Sequence, residues 1–277
     1  MKEAIFQKPV VHMVLIIVLS LLAYSNTFQG SFSFDDGRFI VKNPVVKDLS
    51  YFTESSKLMG HHIHYVLKNR FMGYFTFALN YKLHGLDVTG YHIFNLLIHI
   101  INALLVYLLV IISFKTHFLN KSPIKGYSGY IALSAALLFA CHPVQTQAVT
   151  YIYQRVTSLA TLFYLLSLVM YIKARLSSTS ASTLTCYAVS FISAVLAMRT
   201  KEIAFTLPVM ITLYEFMFLR GKIKTRLLYL VPILLTMLII PLTLINLDTP
   251  VGELIGDVSE ATKIYPPFST LPQPSLT

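Results

Sequence analysis

Residues 91–114 read YHIFNLLIHIINALLVYLLVIISF, twenty-four positions without a lysine, arginine, aspartate or glutamate. As a helix this run rises about 36 Å, enough to cross the roughly 30 Å hydrocarbon core of a bilayer. Six further apolar runs flank it, at residues 10–28, 127–141, 157–172, 184–198, 203–219 and 227–247. The reading is therefore an all-α polytopic bundle of about seven membrane-spanning helices. Composition agrees: hydrophobic residues make up 55% of the chain and charged residues 12%, about half the charged share of a soluble domain. Mean hydropathy is +0.66.

The formal charge of +10 raises nucleic acid as a partner. A nucleic-acid surface gathers its cations on one soluble face, whereas here they fall in short breaks between apolar runs. That is the pattern of membrane topology, and it argues for a lipid bilayer and against nucleic acid. Lys115, Lys121 and Lys125 separate the second and third runs, Lys173 and Arg175 the fourth and fifth, and Arg220, Lys222, Lys224 and Arg226 the sixth and seventh. These connections alternate, so they share one side, which the positive-inside rule makes cytoplasmic. Lys2 and Lys8 put the N-terminus there too. The opposite, extracytoplasmic side receives residues 29–90, 142–156 and 199–202 and the tail after residue 247. An alternative for the first run is a cleaved signal peptide, with Ala23-Tyr24-Ser25 as a passable cleavage site. Residues 71–86 are aromatic and apolar but too short to span, which predicts an interfacial or re-entrant helix. Cys141 and Cys186 fall toward opposite sides, so no disulfide is expected.

The outer side collects the polar groups with chemistry in them. Asp35 and Asp36 follow the first run, His142 and Arg155 flank the second outer connection, and Arg199, Lys201 and Glu202 fill the third. An aspartate pair beside cations at the mouth of an apolar bundle suits a reaction on a lipid-linked anion. The cations would hold a phosphate and one carboxylate would act as general base. The bland alternative is a solvated helix end, with Arg155 and Lys201 reaching to the interface along their apolar stems.

Within the second run, His92, Asn95, His99 and Asn102 recur three and four apart and so share one helix face. Such side chains face protein or a water-filled cavity. Hydrogen bonds between helices account for the spacing. The sharper reading makes His92, Asn95 and His99, with His142 and Glu202, the lining of a substrate cavity. About 10 Å of helix between His92 and His99 argues against a metal held by both, and His61, His62 and His64, which could hold one only if their loop folded for it, read as loop residues.

Several short stretches, YSNTFQG (24–30), FDD (34–36), NP (43–44), NYKLHGL (80–86), GYHIFNLLIH (90–99), LFACHPVQTQAV (138–149) and AMRTKE (197–202), together with Arg155 and the apolar run that follows it, are similar in order and spacing to the transmembrane and tetratricopeptide-repeat O-mannosyltransferases. That family lies in the GT-C superfamily of polyprenyl-phosphate-sugar glycosyltransferases. The resemblance implies transfer of a sugar, mannose by family, from a polyprenyl-phosphate-linked donor to a protein or glycan acceptor outside the cytoplasm. It makes Asp35 and Asp36 the catalytic pair, and Arg155, Lys201 and Arg70 the cations for the lipid phosphate. Cofactor use is left open by the family, a divalent metal being one option, and no metal ligand is assigned.

The chain departs from the family where Gln145 and Gln147 replace acidic and histidine side chains, and where Val156 and Thr157 replace a small-acidic pair. It also carries fewer spans than the superfamily. Residues 1–264 are read as the N-terminal part of the module. Residues 265–277 are read as a disordered, proline-rich tail of an out-of-frame ending. The membrane is a bacterial inner membrane or that of the endoplasmic reticulum. A small-molecule transporter and an inactive membrane remnant are the competing classes.

Overall fold

A computed structural model describes residues 8–54 and 70–244. The chain divides into two units, Met1–Ile240 and Pro241–Thr277; residues 241–244 of the second are described, as the end of a helix. The expected tail, 265–277, and the histidines at 61, 62 and 64 lie outside the described residues.

Helices and their connecting turns account for the architecture, with no strand among the described residues. The principal helices are α1 (Pro9–Ala23), α2 (Phe71–His84), α3 (Val88–Ser113), α4 (Ser128–Cys141), α5 (Arg155–Leu176), α6 (Ser180–Met198), α7 (Leu207–Phe218), α8 (Ile223–Leu235) and α9 (Ile239–Leu244). Five helical stretches are long and apolar enough to cross a membrane: Val88–Ser113, Pro123–Cys141, Ile152–Leu176, Ser180–Met198 and Ile223–Thr243. The chain is a multi-pass membrane bundle.

The remaining two apolar runs form shorter helices, for visible reasons. Helix α1 stops at Ala23 because the chain turns there: Tyr24 is buried with its hydroxyl on the Ala140 carbonyl (3.2 Å), and Thr27 meets Thr150 (2.8 Å). Helix α7 starts at Leu207, with Pro208 in its first turn, where a missing N–H does no harm. The preceding residues, Glu202–Thr206, form a 3-10 helix. The 71–86 segment becomes α2 and ends at Gly85, whose φ of 59° closes the helix in the left-handed region.

Packing follows residue size. Ala132, Ala136 and Ala140 recur every four residues on α4 and are fully buried with Ile16, Ala103 and Tyr107 of α1 and α3. Small side chains let membrane helices approach closely where water provides no drive for association. A second core joins α3, α5, α6, α7 and α8 through Leu105, Ile172, Ala194, Ile211 and Ile233. Large apolar side chains such as Leu22, Leu97, Leu138, Leu213 and Leu228 point outward, as lipid contact requires.

One carboxylate sits inside this second core. Glu215 of α7 is fully buried, bound by Arg175 Nη2 (2.8 Å) and Nε (3.0 Å), by the Tyr171 hydroxyl (3.1 Å), and by Arg226 at 3.8 Å. It ties α5, α7 and α8 together. Glu215→Gln leaves a largely buried guanidinium short of its acceptor, so the variant is expected to lose about 3 kcal/mol. Thermal unfolding in detergent micelles checks this, and an unchanged midpoint would rule the clamp out.

Candidate active site

The segment after α1 carries the aspartate pair, and its backbone separates their roles. Phe34 holds φ at 49°, a conformation uncommon for a bulky residue, with its side chain almost wholly exposed. Its ring lies edge-on to Tyr151 (5.9 Å), whose hydroxyl accepts the Asp35 N–H at 3.0 Å. Beyond this corner the Asp35 carbonyl accepts the N–H groups of Arg38 (3.1 Å) and Phe39 (2.8 Å), starting the wide turn Gly37–Val41.

The two side chains then part. Asp36 is fully buried, with Oδ2 accepting the Ser33 N–H (2.9 Å) and Oδ1 the Tyr153 N–H (2.8 Å). Burial pushes its carboxyl above the ordinary value; the two N–H groups and nearby His92 pull it back, and the Asp35 charge adds to the rise. Asp35 is exposed and edges a cavity of about 790 Å³. This cavity is otherwise lined by hydroxyl, amide and aromatic groups including Ser31, Ser33, Gln147, Thr150, Tyr151 and Gln154, and among the described residues Asp35 is its one carboxylate. The size suits a small organic ligand.

Tyr153 links this cavity to the expected cations. Its backbone N–H holds Asp36, its ring stacks on Phe39 (4.8 Å), and its hydroxyl receives Arg70 Nη1 (3.0 Å). Arg70 also pairs with Glu202 at 3.6 Å. Lys201 Nζ donates to the Thr157 hydroxyl (2.6 Å), which donates to Gln154 Oε1 (2.6 Å), a residue of the cavity wall. Desolvation lowers the Lys201 pKa, the Arg70 charge lowers it further, and Glu202 opposes both. Arg70 moves the other way: burial would lower it, but Tyr153 and Glu202 outweigh that. Lys201, Arg70 and Glu202 thus form one half-buried group, joined to the cavity through Gln154.

Arg155 lies elsewhere. It is 0% exposed, and its guanidinium donates to Asn95 Oδ1 (2.7 Å), Asn80 Oδ1 (2.6 Å), the Tyr91 carbonyl (3.0 Å) and the Thr76 carbonyl (3.3 Å). The ring of Phe77 lies 4.6 Å from its Cζ, with Tyr91 and Phe94 near 5.5 Å and 5.4 Å. No face is left for a phosphate. A position next to an outer connection suggested a donor cation; the sequence carried no sign that Asn80, three apart from Phe77 on another helix, would enclose it. Gly73 lets α2 approach, since a Cβ there would meet Val156 Cγ2 at 2.7 Å.

His92, Asn95 and His99 of the polar stripe on α3, expected to line a substrate cavity, are not among the described residues that line the cavity beside Asp35. All three are buried. His92 Nε2 donates to the Gly30 carbonyl (2.9 Å), and His99 Nε2 to that of Ala140 (2.9 Å). Asn95 Nδ2 serves Val149 (3.2 Å) and Ile152 (3.3 Å), and Asn102 Nδ2 serves Ser158 (2.9 Å). The Gly30, Ala140 and Val149 carbonyls belong to helix ends and turns, where a carbonyl without an intrahelical partner needs another donor. The stripe therefore ties helices together, the other reading of the same spacing. His142 is exposed and lines a separate, mainly apolar cavity of about 530 Å³ with Leu137, Leu138 and Cys141. Glu202 is Arg70's partner rather than a wall residue. Among the described residues no three histidine, cysteine, aspartate or glutamate side chains gather as a metal-holding group.

Comparison with known proteins bears on this site. A protein O-mannosyl-transferase of Caenorhabditis elegans is 36% identical over 172 residues, 59% of this chain and 23% of the relative. Human protein O-mannosyl-transferase TMTC2 is 32% identical over 220 residues, 74% of this chain and 24% of the relative. The chain is a relative of the protein O-mannosyl-transferases. Human TMTC4 is likewise 32% identical, over 56% of this chain and 22% of its own length. The chain thus spans about a quarter of the length of the O-mannosyl-transferases it matches. No family model and no solved structure matches it.

Proposed function

We propose that residues 1–264 are the N-terminal part of a GT-C-type membrane glycosyltransferase module, transferring mannose from a polyprenyl phosphate to an acceptor hydroxyl at the cavity beside Asp35. The observation that carries the reading is the division of labour in the aspartate pair: Asp36 is locked into backbone hydrogen bonds, while Asp35 is presented to a 790 Å³ cavity by a left-handed Phe34. The names of the relatives supply the sugar and the acceptor class.

The chemistry follows from the groups. An acceptor hydroxyl in the cavity attacks the anomeric carbon while the Asp35 carboxylate takes its proton. The bond from that carbon to the phosphate oxygen breaks, and the electron pair leaves with the lipid phosphate. Lys201 and Arg70 meet the charge that develops there. Asp36 and Tyr153 hold the loop to the cations, and Arg155 braces the helices behind them. The apolar bundle takes the polyprenyl chain. The fitting orientation has a cytoplasmic N-terminus and an extracytoplasmic Asp35, supported by the lysines and arginines of the alternate connections.

A photoactivatable polyprenyl-phosphate mannose tests this on the purified chain. Labelling should fall on residues 146–157 and 199–202 and be displaced by unlabelled donor. Labelling that unlabelled donor leaves in place would exclude a donor site.

The pH dependence of donor binding follows from Lys201. A lysine with a lowered pKa keeps its cation at low pH and loses it, as pH rises, before an ordinary lysine at 10.5. Donor Kd is therefore expected to rise on the alkaline side below pH 10.5. Lys201→Arg should move that limb to higher pH, because a guanidinium keeps its proton. A limb that stays in place would assign the titration to another group.

A further inference from the structure

The end of the bundle away from the aspartate pair brings three connections together. Between α3 and α4 come Lys115, His117, Lys121 and Lys125; in the last turn of α5 comes Lys173; between α7 and α8 come Arg220, Lys222 and Lys224. The structure joins these connections directly. Ser113 Oγ lies 2.7 Å from the Tyr214 hydroxyl, the Phe118 ring meets Phe218 edge-on at 6.1 Å, and Arg175 Nη2 donates to the Arg220 carbonyl at 3.3 Å. His117 is held below the ordinary histidine value by burial and by repulsion from Arg220 and Lys121. His117 of one connection is therefore within electrostatic reach of Arg220 of another.

Lys115, Lys121, Lys125, Lys173, Arg220, Lys222 and Lys224 are all exposed. None of them makes an ion pair within 4.0 Å among the described residues. The acid nearest in sequence, Glu215, is fully buried and taken by Arg175 and Arg226. Large apolar side chains are interleaved with the cations: Phe118 is 67% exposed, Tyr127 64%, Ile223 57% and Ile124 49%. Uncompensated cations set among apolar side chains at the ends of membrane helices match one partner, a surface with anionic headgroups above hydrocarbon.

We propose that this face is a docking surface for anionic phospholipids, whose headgroup phosphates are held by Lys121, Arg220, Lys222 and Lys224 while Phe118 and Ile223 enter the acyl boundary. Topological bias alone asks only for a count of positive charge in each connection. The gathering of the charges by side-chain contacts between connections, with Glu215 neutralised beneath them, is additional. The assignment is independent of the sugar-transfer reading.

The test reconstitutes the full chain in phosphatidylcholine vesicles containing spin-labelled phosphatidylglycerol or spin-labelled phosphatidylcholine, and measures the motionally restricted fraction of each. The parent chain is expected to select phosphatidylglycerol, and 1 M salt should suppress the preference. The triple variant Arg220→Gln, Lys222→Gln, Lys224→Gln should lose selectivity by about fivefold or more. Replacement of the same lysines by arginine should keep it. Lys42→Gln, Lys47→Gln, Lys82→Gln, which removes three exposed cations elsewhere, should leave it unchanged. A parent chain without preference, a triple variant with parental selectivity, or equal loss in the control variant would each overturn the proposal.

Discussion

Asp35→Asn is expected to cut sugar transfer by about a hundredfold to ten-thousandfold, the range a positioned general base contributes, while the protein unfolds at the parent temperature. The side chain is exposed at the cavity edge, and the contacts that place this residue are made by its backbone N–H and carbonyl. An asparagine keeps both backbone contacts and the shape, leaves an amide oxygen to face the Tyr151 hydroxyl that the carboxylate now faces, and loses the basicity. Initial rates with radiolabelled polyprenyl-phosphate mannose in vesicles, read beside thermal unfolding, check the pair of outcomes. Transfer at the parental rate would remove Asp35 from the reaction.

Asp36→Asn is the informative contrast. An amide oxygen can accept one of the two N–H groups that Asp36 now holds, but its NH2 faces the other donor. That variant should lose activity together with stability, because the Gly37–Val41 turn and Tyr153 come loose from each other. Both substitutions remove one negative charge from adjacent positions. Different stability outcomes would therefore report the geometry and not the charge count.

Much of the architecture was legible because apolar run length is a strong signal in lipid. The run at 91–114 became Val88–Ser113, extended at its start where the Asp87 side chain accepts the Thr89 N–H at 3.0 Å. The run at 157–172 became Arg155–Leu176, longer by a turn at its end because Arg175 stays helical to reach Glu215. What run length cannot convey is where a polar side chain points. His92 and His99 have the spacing of a cavity wall and of a set of caps alike, and only the positions of Gly30 and Ala140 decide. Glu215 went unread altogether, although a single acid in an apolar run before a basic connection was a usable signal. Tyr153 carried no signal, since its importance lies in a backbone N–H that every residue but proline possesses.

The same limit misplaced Arg155, and its substitution is the second large effect expected. Arg155→Lys should destabilise the chain by about 3 kcal/mol and impair donor binding only as far as the fold is lost. Three guanidinium nitrogens reach four acceptors on two helices: Thr76 and Asn80 on α2, Tyr91 and Asn95 on α3. An ammonium is a single centre on a flexible stem and cannot span that fork. Buried acceptors left behind, Asn80 Oδ1 and Asn95 Oδ1 among them, each cost about 1–3 kcal/mol without a donor. The lysine also surrenders the flat stacking surface that Phe77 and Phe94 cover. Thermal unfolding in detergent and donor Kd at a temperature where the variant is still folded separate the two roles. A brace lowers the unfolding midpoint and leaves Kd within a few-fold, whereas a phosphate ligand leaves the midpoint alone and weakens Kd. The second pattern would place Arg155 beside Lys201 and require the α2–α3 contact to open when the donor enters.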